Sequence, residues 1–222
     1  MLSTKFLPYD VYCRHQRMAE LITAKGNILD VGGSLKELRH FVTHPITTVD
    51  VIGGDIIYQG RNLPLKDKSF DIVVSLDTIE HIPAASRPQL LAEILRVAKK
   101  QIIIAAPMGT LAHQQAEAQL AAVHPGDHYL QEHIKYGLPT LVDIKNWVGS
   151  LPTHELSFSD DWRFATLMFR LHRWEIRQPQ LNRLIYYAKT LVNWLVNTLV
   201  FPFTKDVAYT QTVNRFFLKI TL

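Results

Sequence analysis

Apolar positions along the chain follow two rhythms. Residues 28–31 form a short apolar run, 46–51 read as a second strand, and 70–76 (FDIVVSL) and 101–106 (QIIIAA) are apolar runs with almost no polar alternation. Such runs predict strands buried on both faces, as in a parallel sheet. Between the last two the period lengthens, and Leu90, Leu91, Ile94, Leu95 and Ala98 mark one face of a helix. Ser86-Arg87-Pro88-Gln89 precedes it, placing a serine cap, a first-turn proline and a glutamine at the capping-box position. Residues 10–25 predict a helix capped by Asp10 and stopped by Gly26. Behind the first strand, Gly32-Gly33 leads into Ser34-Leu35-Lys36-Glu37, whose Ser-x-x-Glu form predicts another helix start. Thr140-Leu141-Val142-Asp143 opens a helix to about Val148, residues 154–158 read as a strand, and 215–221 (RFFLKIT) as a late one. The first half is thus β-α-β-(β)-β-α-β, a mostly parallel α/β sheet with helices on its faces.

Residues 160–203 turn helical, interrupted near Pro179, and predict an insert before the last strand that covers one end of the sheet. Residues 184–203 are long and apolar enough to raise the question of a membrane span. Lys189, Asn193 and Asn197, with Thr190 and Thr198 beside them, draw a polar stripe, while Leu184, Ala188, Leu191, Leu195 and Leu199 draw an apolar one. That is an amphipathic helix. Its apolar face is expected to pack on the domain or on a twin subunit in a homodimer. Peripheral membrane contact through 184–200 is the other reading.

Composition changes this picture little. With 222 residues, 47% hydrophobic and 20% charged, the chain fits one globular domain over 1–222. A single cysteine, Cys13, excludes a disulfide framework and a thiolate zinc site. The net charge of +4, from 24 basic and 20 acidic residues, is too weak to predict nucleic acid as a partner. Residues 1–8 lack the basic head and apolar run of a signal peptide, so a cytoplasmic location is expected.

Ligands of open parallel sheets bind beyond the carboxyl ends of the strands, where strand order reverses. Asp30-Val31-Gly32-Gly33 closes the first strand, and its glycines let backbone approach a ligand. Asp50 ends the second strand, where a carboxylate can accept bonds from both ribose hydroxyls. The two features stand about 20 residues apart, as a glycine loop and a ribose carboxylate should. Together they predict a nucleoside site.

ILDVGGSLKEL, TTVDV, LPLKDKSFDIVVSLDTIEHIP and LLAEILRVAKKQIIIAAP, in this order and spacing, resemble the signature segments of class I S-adenosylmethionine-dependent methyltransferases. The resemblance covers about residues 9–107 and is greatest to the branch with quinone-biosynthesis and small-molecule enzymes. HPGDHYLQEHIKYGLPT and the insert are similar, more weakly, to a sub-branch found beside glycosyltransferases in surface-polysaccharide pathways. The family implies a Rossmann-like, seven-stranded sheet with helices on both faces, and S-adenosyl-L-methionine as cofactor. By the same resemblance Asp30, Gly32 and Gly33 would surround its methionine part, and Asp50 with Val51 its ribose. Gln59 and Gly60 would meet adenine, and Ser75, Leu76 and Asp77 would lie near the transferable methyl. Arg14 and His15 would fold over the cofactor carboxylate. Two departures stand out: Ser34 and Lys36 replace the second and third loop glycines, and Gln59 replaces the usual Asp.

Methyl transfer from a sulfonium needs positioning, dryness and, for a hydroxyl acceptor, a base. His81, His128 and His133 are the candidates, since histidine titrates near neutrality. Asp77, Glu80 and His81 stand close in sequence, as do His124, His128 and His133, and three histidines can ligate a metal. The spacing lacks the two-histidine helix turn of a metalloprotease, so no metal is expected. Residues 107–137, with His113, Asp127, His128, Tyr129, Glu132, His133 and Tyr136, are expected to form an acceptor loop or lid. Trp162, Arg163, Arg170, Arg173, Trp174 and Arg177 of the insert suit sugar or phosphate, or a packed helix face. The expected reaction is methylation, at oxygen, of a small-molecule or glycan acceptor. A nicotinamide reductase is disfavoured, because Gly-x-Gly-x-x-Gly and Tyr-x-x-x-Lys are both absent. The altered glycine loop keeps a non-catalytic nucleoside binder as the alternative.

Overall fold

A computed structural model describes residues 3–59, 62–149, 151, 153–176 and 178–222; Gly60 and Arg177 lie outside the described residues. The strands are β1 (Ile28–Val31), β2 (Ile46–Asp50), β3 (Ile56–Ile57), β4 (Phe70–Leu76), β5 (Ala98–Pro107), β6 (His154–Asp161) and β7 (Val213–Thr221). They form one sheet in the order β3-β2-β1-β4-β5-β7-β6. The first five are parallel, and β7 runs antiparallel to both β5 and β6. This is the expected Rossmann-like sheet, and its reversal of strand order lies between β1 and β4. The bracketed strand is β3, only two residues long.

The unbroken apolar runs do what a sheet covered on both faces requires. Leu29, Val31, Val73, Ile102 and Ile104 join Leu90 and Ile94 of α2 (Arg87–Val97) and Ile144 of α5 (Leu141–Val148). On the other face Ile28, Ile72, Val74 and Ile103 pack with Leu38 and with Met18 of α1 (Tyr9–Leu21). The Thr140 capping box forms, with Asp143 closing it.

Other helix ends depart from expectation. Helix α1 stops at Leu21, well short of residue 25. Gln101 on β5 is the cause: its side chain accepts from the Thr23 and Ala24 amides and donates to the Leu21 carbonyl, taking over the groups another helical turn would use. At the other end Pro8, not Asp10, is the capping position. Ser34 starts no α-helix. Lys36 takes a left-handed conformation, φ 58°, and only a 3₁₀ turn follows at Glu37–His40. Glu37, the expected capping-box carboxylate, instead faces Arg14 and His15 of α1. Ser86 stands at the head of α2 without a side-chain cap, and Gln89 donates to Asn62.

The chain continues through α3 (Leu111–Val123) and α4 (His128–Tyr136), which pack together, then α5 and β6. The insert is α6 (Trp162–Arg173), α7 (Pro179–Leu199) and the short α8 (Phe201–Thr204). It joins α1: Met168 and Phe201 enclose Tyr9, Tyr12 and Cys13, with Phe164, Val192 and Val196 at the margin. Helix α7 does not pack its apolar stripe on its own domain, the first of the expected arrangements. Leu184, Leu191, Leu195 and Leu199 face outward, Leu184 being 65% and Leu199 60% exposed, while Asn193 is buried and Asn197 only 1% exposed. Asn197 Nδ2 donates to the carbonyls of Lys5 and Leu7 at 2.8 and 2.9 Å. Backbone acceptors that would otherwise be stranded draw the polar stripe inward. Among the described residues no helix is long and apolar enough to cross a membrane.

Candidate active site

The carboxyl ends of β1, β2 and β4 lie side by side, as their parallel register demands. Gly32 leaves β1 with φ +88°, a conformation glycine adopts at no steric cost. A Cβ there would strike the Thr78 hydroxyl, which donates to the Val31 and Leu76 carbonyls and so sews the β1 loop to the β4 loop. A Cβ at Gly33 would strike the Asp30 carboxylate. Asp30 itself is buried, and burial raises it to about 7, with Arg39 acting against the rise and Asp50 adding to it. Asp50 ends β2, and its Oδ1 accepts the Ile52 amide at 2.8 Å. Val51 and Gln59 are exposed beside it. The intervening loop is held by Asp55, which takes the Thr48 amide and hydroxyl, Lys36 and Arg39.

At the end of β4 Ser75 is buried inside the sheet, paired between Val31 and Ile104. Asp77 follows with φ 52°, an unfavourable conformation for a residue with a Cβ. Two arginines grip its carboxylate: Arg14 of α1 at 2.7 Å and Arg215 of β7. Burial works to raise Asp77, but Arg215 and Arg14 outweigh it and hold it at about 2. His15 is turned away: its Nδ1 meets the Val11 carbonyl, and burial followed by Arg14 lowers it to about 4.

Beyond Asp77 the 3₁₀ turn Ile79–His81 presents Glu80 and His81 to α4. His81 Nδ1 lies 2.8 Å from Glu132, and its ring is 4.9 Å from that of His133. Burial and then His133 lower His81. His133 Nδ1 lies 3.0 Å from Glu117 of α3; burial opposes its charge, yet Glu117 leaves it raised. Glu80 is buried, and burial followed by the Asp77 charge raises it to about 8. Of the three expected histidines, His81 and His133 come together. His128 is exposed and meets the pair indirectly, through Glu132 at 3.2 Å and the Tyr129 ring. His124 is exposed as well.

Three contributors escaped the sequence reading. Arg215 sits inside the apolar strand β7, and a charge in such a run is a signal of a buried partner. Arg87 is buried on α2 and donates to the carbonyls of Ile79, Ile82, Tyr136 and Gly137, pinning the Glu80 turn to the end of α4. Glu117, part of helix α3, carries no sequence signal of its own.

The family described as "Methyltransferase domain" matches residues 23–106. Among solved structures, a SAM-dependent methyltransferase from Archaeoglobus fulgidus has TM-score 0.59 at 13% identity, over 97% of this chain and 95% of that one. A SAM-dependent methyltransferase from Thermotoga maritima has TM-score 0.58 at 12% identity, over 95% and 88%. Phosphoethanolamine N-methyltransferase 2 from Haemonchus contortus, solved with S-adenosyl-L-methionine, has TM-score 0.54 at 18% identity, over 93% of this chain and 52% of that one. At these identities the likeness is one of fold. No curated protein matches the chain. The two findings agree: residues 23–106 match a methyltransferase domain, and the sheet around them has the fold of solved S-adenosylmethionine-dependent methyltransferases.

Proposed function

We propose that the protein methylates an oxygen of a small-molecule or glycan acceptor, held between the end of β4 and the segment 107–137. The observation that carries this reading is the convergence of the Asp77 loop with Glu80, His81 and His133 beside the nucleoside-type edge formed by β1 and β2. The residues fit the cofactor. A tight glycine turn, a carboxylate ending β2 and a cationic Arg14 stand where a nucleoside with an amino-acid tail needs backbone room, a ribose acceptor and an anion partner. S-adenosylmethionine, when bound, supplies the electrophilic methyl group. Asp30, Gly32 and Gly33 shape the methionine end, Asp50 and Val51 the ribose, and Gln59 the adenine side. Leu76 and Asp77 set the floor beside the methyl. Arg215 keeps Asp77 neutralised while Arg14 turns to the cofactor carboxylate. A hydroxyl acceptor must lose its proton, and the Glu80–His81–His133 cluster is where this chain can assist. His128, exposed at the mouth, contacts the acceptor.

Calorimetry with S-adenosylmethionine, S-adenosylhomocysteine and NADH tests the cofactor reading; neither sulfur nucleoside binding at millimolar concentration would overturn it. Asp50→Ala is expected to weaken S-adenosylmethionine by about tenfold or more, through lost charge-assisted bonds. An unchanged dissociation constant removes Asp50 from the site. Methyl-labelled cofactor offered to fractionated glycans, lipids, phenols and amines tests the acceptor. Label on hydroxyl-bearing small molecules or glycans is expected, and label on amines alone overturns methylation at oxygen.

A further inference from the structure

Glu80, His81 and His133 do more than lie near one another. One ligand-capable atom from each falls within 4.8 Å of the other two. Glu80 is 1% exposed, and its Oε2 is buried with no hydrogen-bond partner among the described residues; His133 Nε2 is buried and unpartnered in the same way. A buried polar atom left without a partner is costly. Two of them in one cluster call for something between them.

The two histidines are prepared alike. His81 Nδ1 donates to Glu132 at 2.8 Å, and His133 Nδ1 donates to Glu117 at 3.0 Å. A carboxylate behind Nδ1 fixes the tautomer, so each ring offers Nε2 as a bare lone pair, the arrangement that backs metal-binding histidines. Glu80 Oε1 already lies 3.9 Å from His81 Nε2. Asp77 lies outside the group: its oxygens face Arg14 and Arg215, and Arg215 keeps it paired when Arg14 turns to the cofactor.

We propose that Glu80, His81 and His133 bind a divalent first-row transition-metal ion of the zinc or manganese class, with open positions left in its coordination shell. Two imidazoles and one carboxylate suit such ions, whereas magnesium and calcium select oxygen donors. Donors of a tetrahedral zinc stand roughly 3.4 Å apart at ordinary zinc–nitrogen lengths. Closing 4.8 Å to that spacing takes about 1 Å of side-chain movement, within reach of the His81 and Glu80 rotamers. Spacing along the chain predicts no metal, because it compares only sequence neighbours. Here the donors come from a 3₁₀ turn and a helix 52 residues apart, counted from His81 to His133. The role of the ion rests on the function proposed above. An acceptor hydroxyl entering an open position would release its proton to water more readily, as zinc-bound water does. Its oxygen would then bond to the methyl carbon while the carbon–sulfur electron pair passes to sulfur.

The test uses the full chain, stripped with chelator and titrated with Zn2+, Mn2+ and Mg2+ by calorimetry, with Co2+ as an absorption probe. One Zn2+ or Mn2+ per chain is expected at micromolar affinity or tighter, with Mg2+ at least 100-fold weaker and a cobalt–imidazole absorption band. Glu80→Gln and His133→Ala should each weaken Zn2+ at least 30-fold, while His124→Ala should not. Circular dichroism checks that the variants fold, and His81→Ala, at the more exposed ligand, serves if either does not. Absence of stoichiometric binding, or binding that survives the loss of His133, Glu80 or His81, overturns the proposal. S-adenosylmethionine binding by the same samples is read separately. Its absence would sink the function above and leave a metal site standing.

Discussion

The sheet and helix α7 treat apolar side chains in opposite ways. In β1, β4 and β5 nearly every apolar residue is buried, and both faces carry a core. In α7 four leucines of the apolar stripe face outward, and two asparagines go in. The sheet satisfies its backbone internally through the strand ladder, so burial is left to apolar area. The segment under α7 has no such ladder. Its carbonyls at Lys5 and Leu7 need donors, and Asn197 supplies both bonds. An amphipathic pattern therefore shows that a helix has two faces; the backbone it meets decides which one turns inward.

The sharpest probe of the sheet is its buried carboxylate. Asp30 is raised to about 7 by burial, with Arg39 opposing and Asp50 reinforcing. The folded state therefore keeps a proton that the unfolded chain releases near its ordinary value of about 3.9. Stability contributed by protonated Asp30 is full below that value and is lost as pH rises to about 7. At about 1.4 kcal/mol per unit the loss reaches up to about 4 kcal/mol. Asp30→Asn should remove that component of the decline, read from urea unfolding at pH 4, 6 and 8. An unaltered decline would mean that Asp30 is ionised and paired inside the sheet.

A smaller effect is expected in α7. Asn197→Leu adds apolar surface at a buried position, yet it strands two carbonyls and should cost about 1–3 kcal/mol. Thermal or urea unfolding measures it. A stabilised variant would mean that α7 obeys the rule of the sheet, and the contrast would fail.

This contrast also explains what the sequence could reveal. Strand runs such as FDIVVSL and QIIIAA locate themselves, because burial on both faces leaves an uninterrupted apolar signature. The carboxyl-end residues Asp30, Gly32, Gly33, Asp50 and Asp77 then follow from the strand ends. The helix ends did not follow, because distant side chains settle them: Gln101 truncates α1, and Glu37 leaves its expected cap for Arg14 and His15. The histidine cluster was half legible. His81 follows a strand and is placed by it, but His133 reaches it only through the packing of α4 against the Glu80 turn, secured by Arg87. His128, one helical turn from Glu132 and equally polar in sequence, stays in solvent. Nothing local separates the two histidines.

The smallest expected effect bears hardest on the contrast. Leu184 and Leu199 are both largely exposed, so little apolar surface is lost when they are cut back. Leu184→Ser with Leu199→Ser should change unfolding free energy by no more than about 0.5 kcal/mol per site, the range of ordinary surface substitutions. The same change at Ile103, buried in the sheet, should cost at least the 2–5 kcal/mol of an isoleucine-to-alanine truncation. Unfolding at two protein concentrations makes the comparison strict. If the leucine pair costs 2 kcal/mol or more at both, the stripe packs against its own chain. The inversion of α7 would then be wrong, and the polar interior with it.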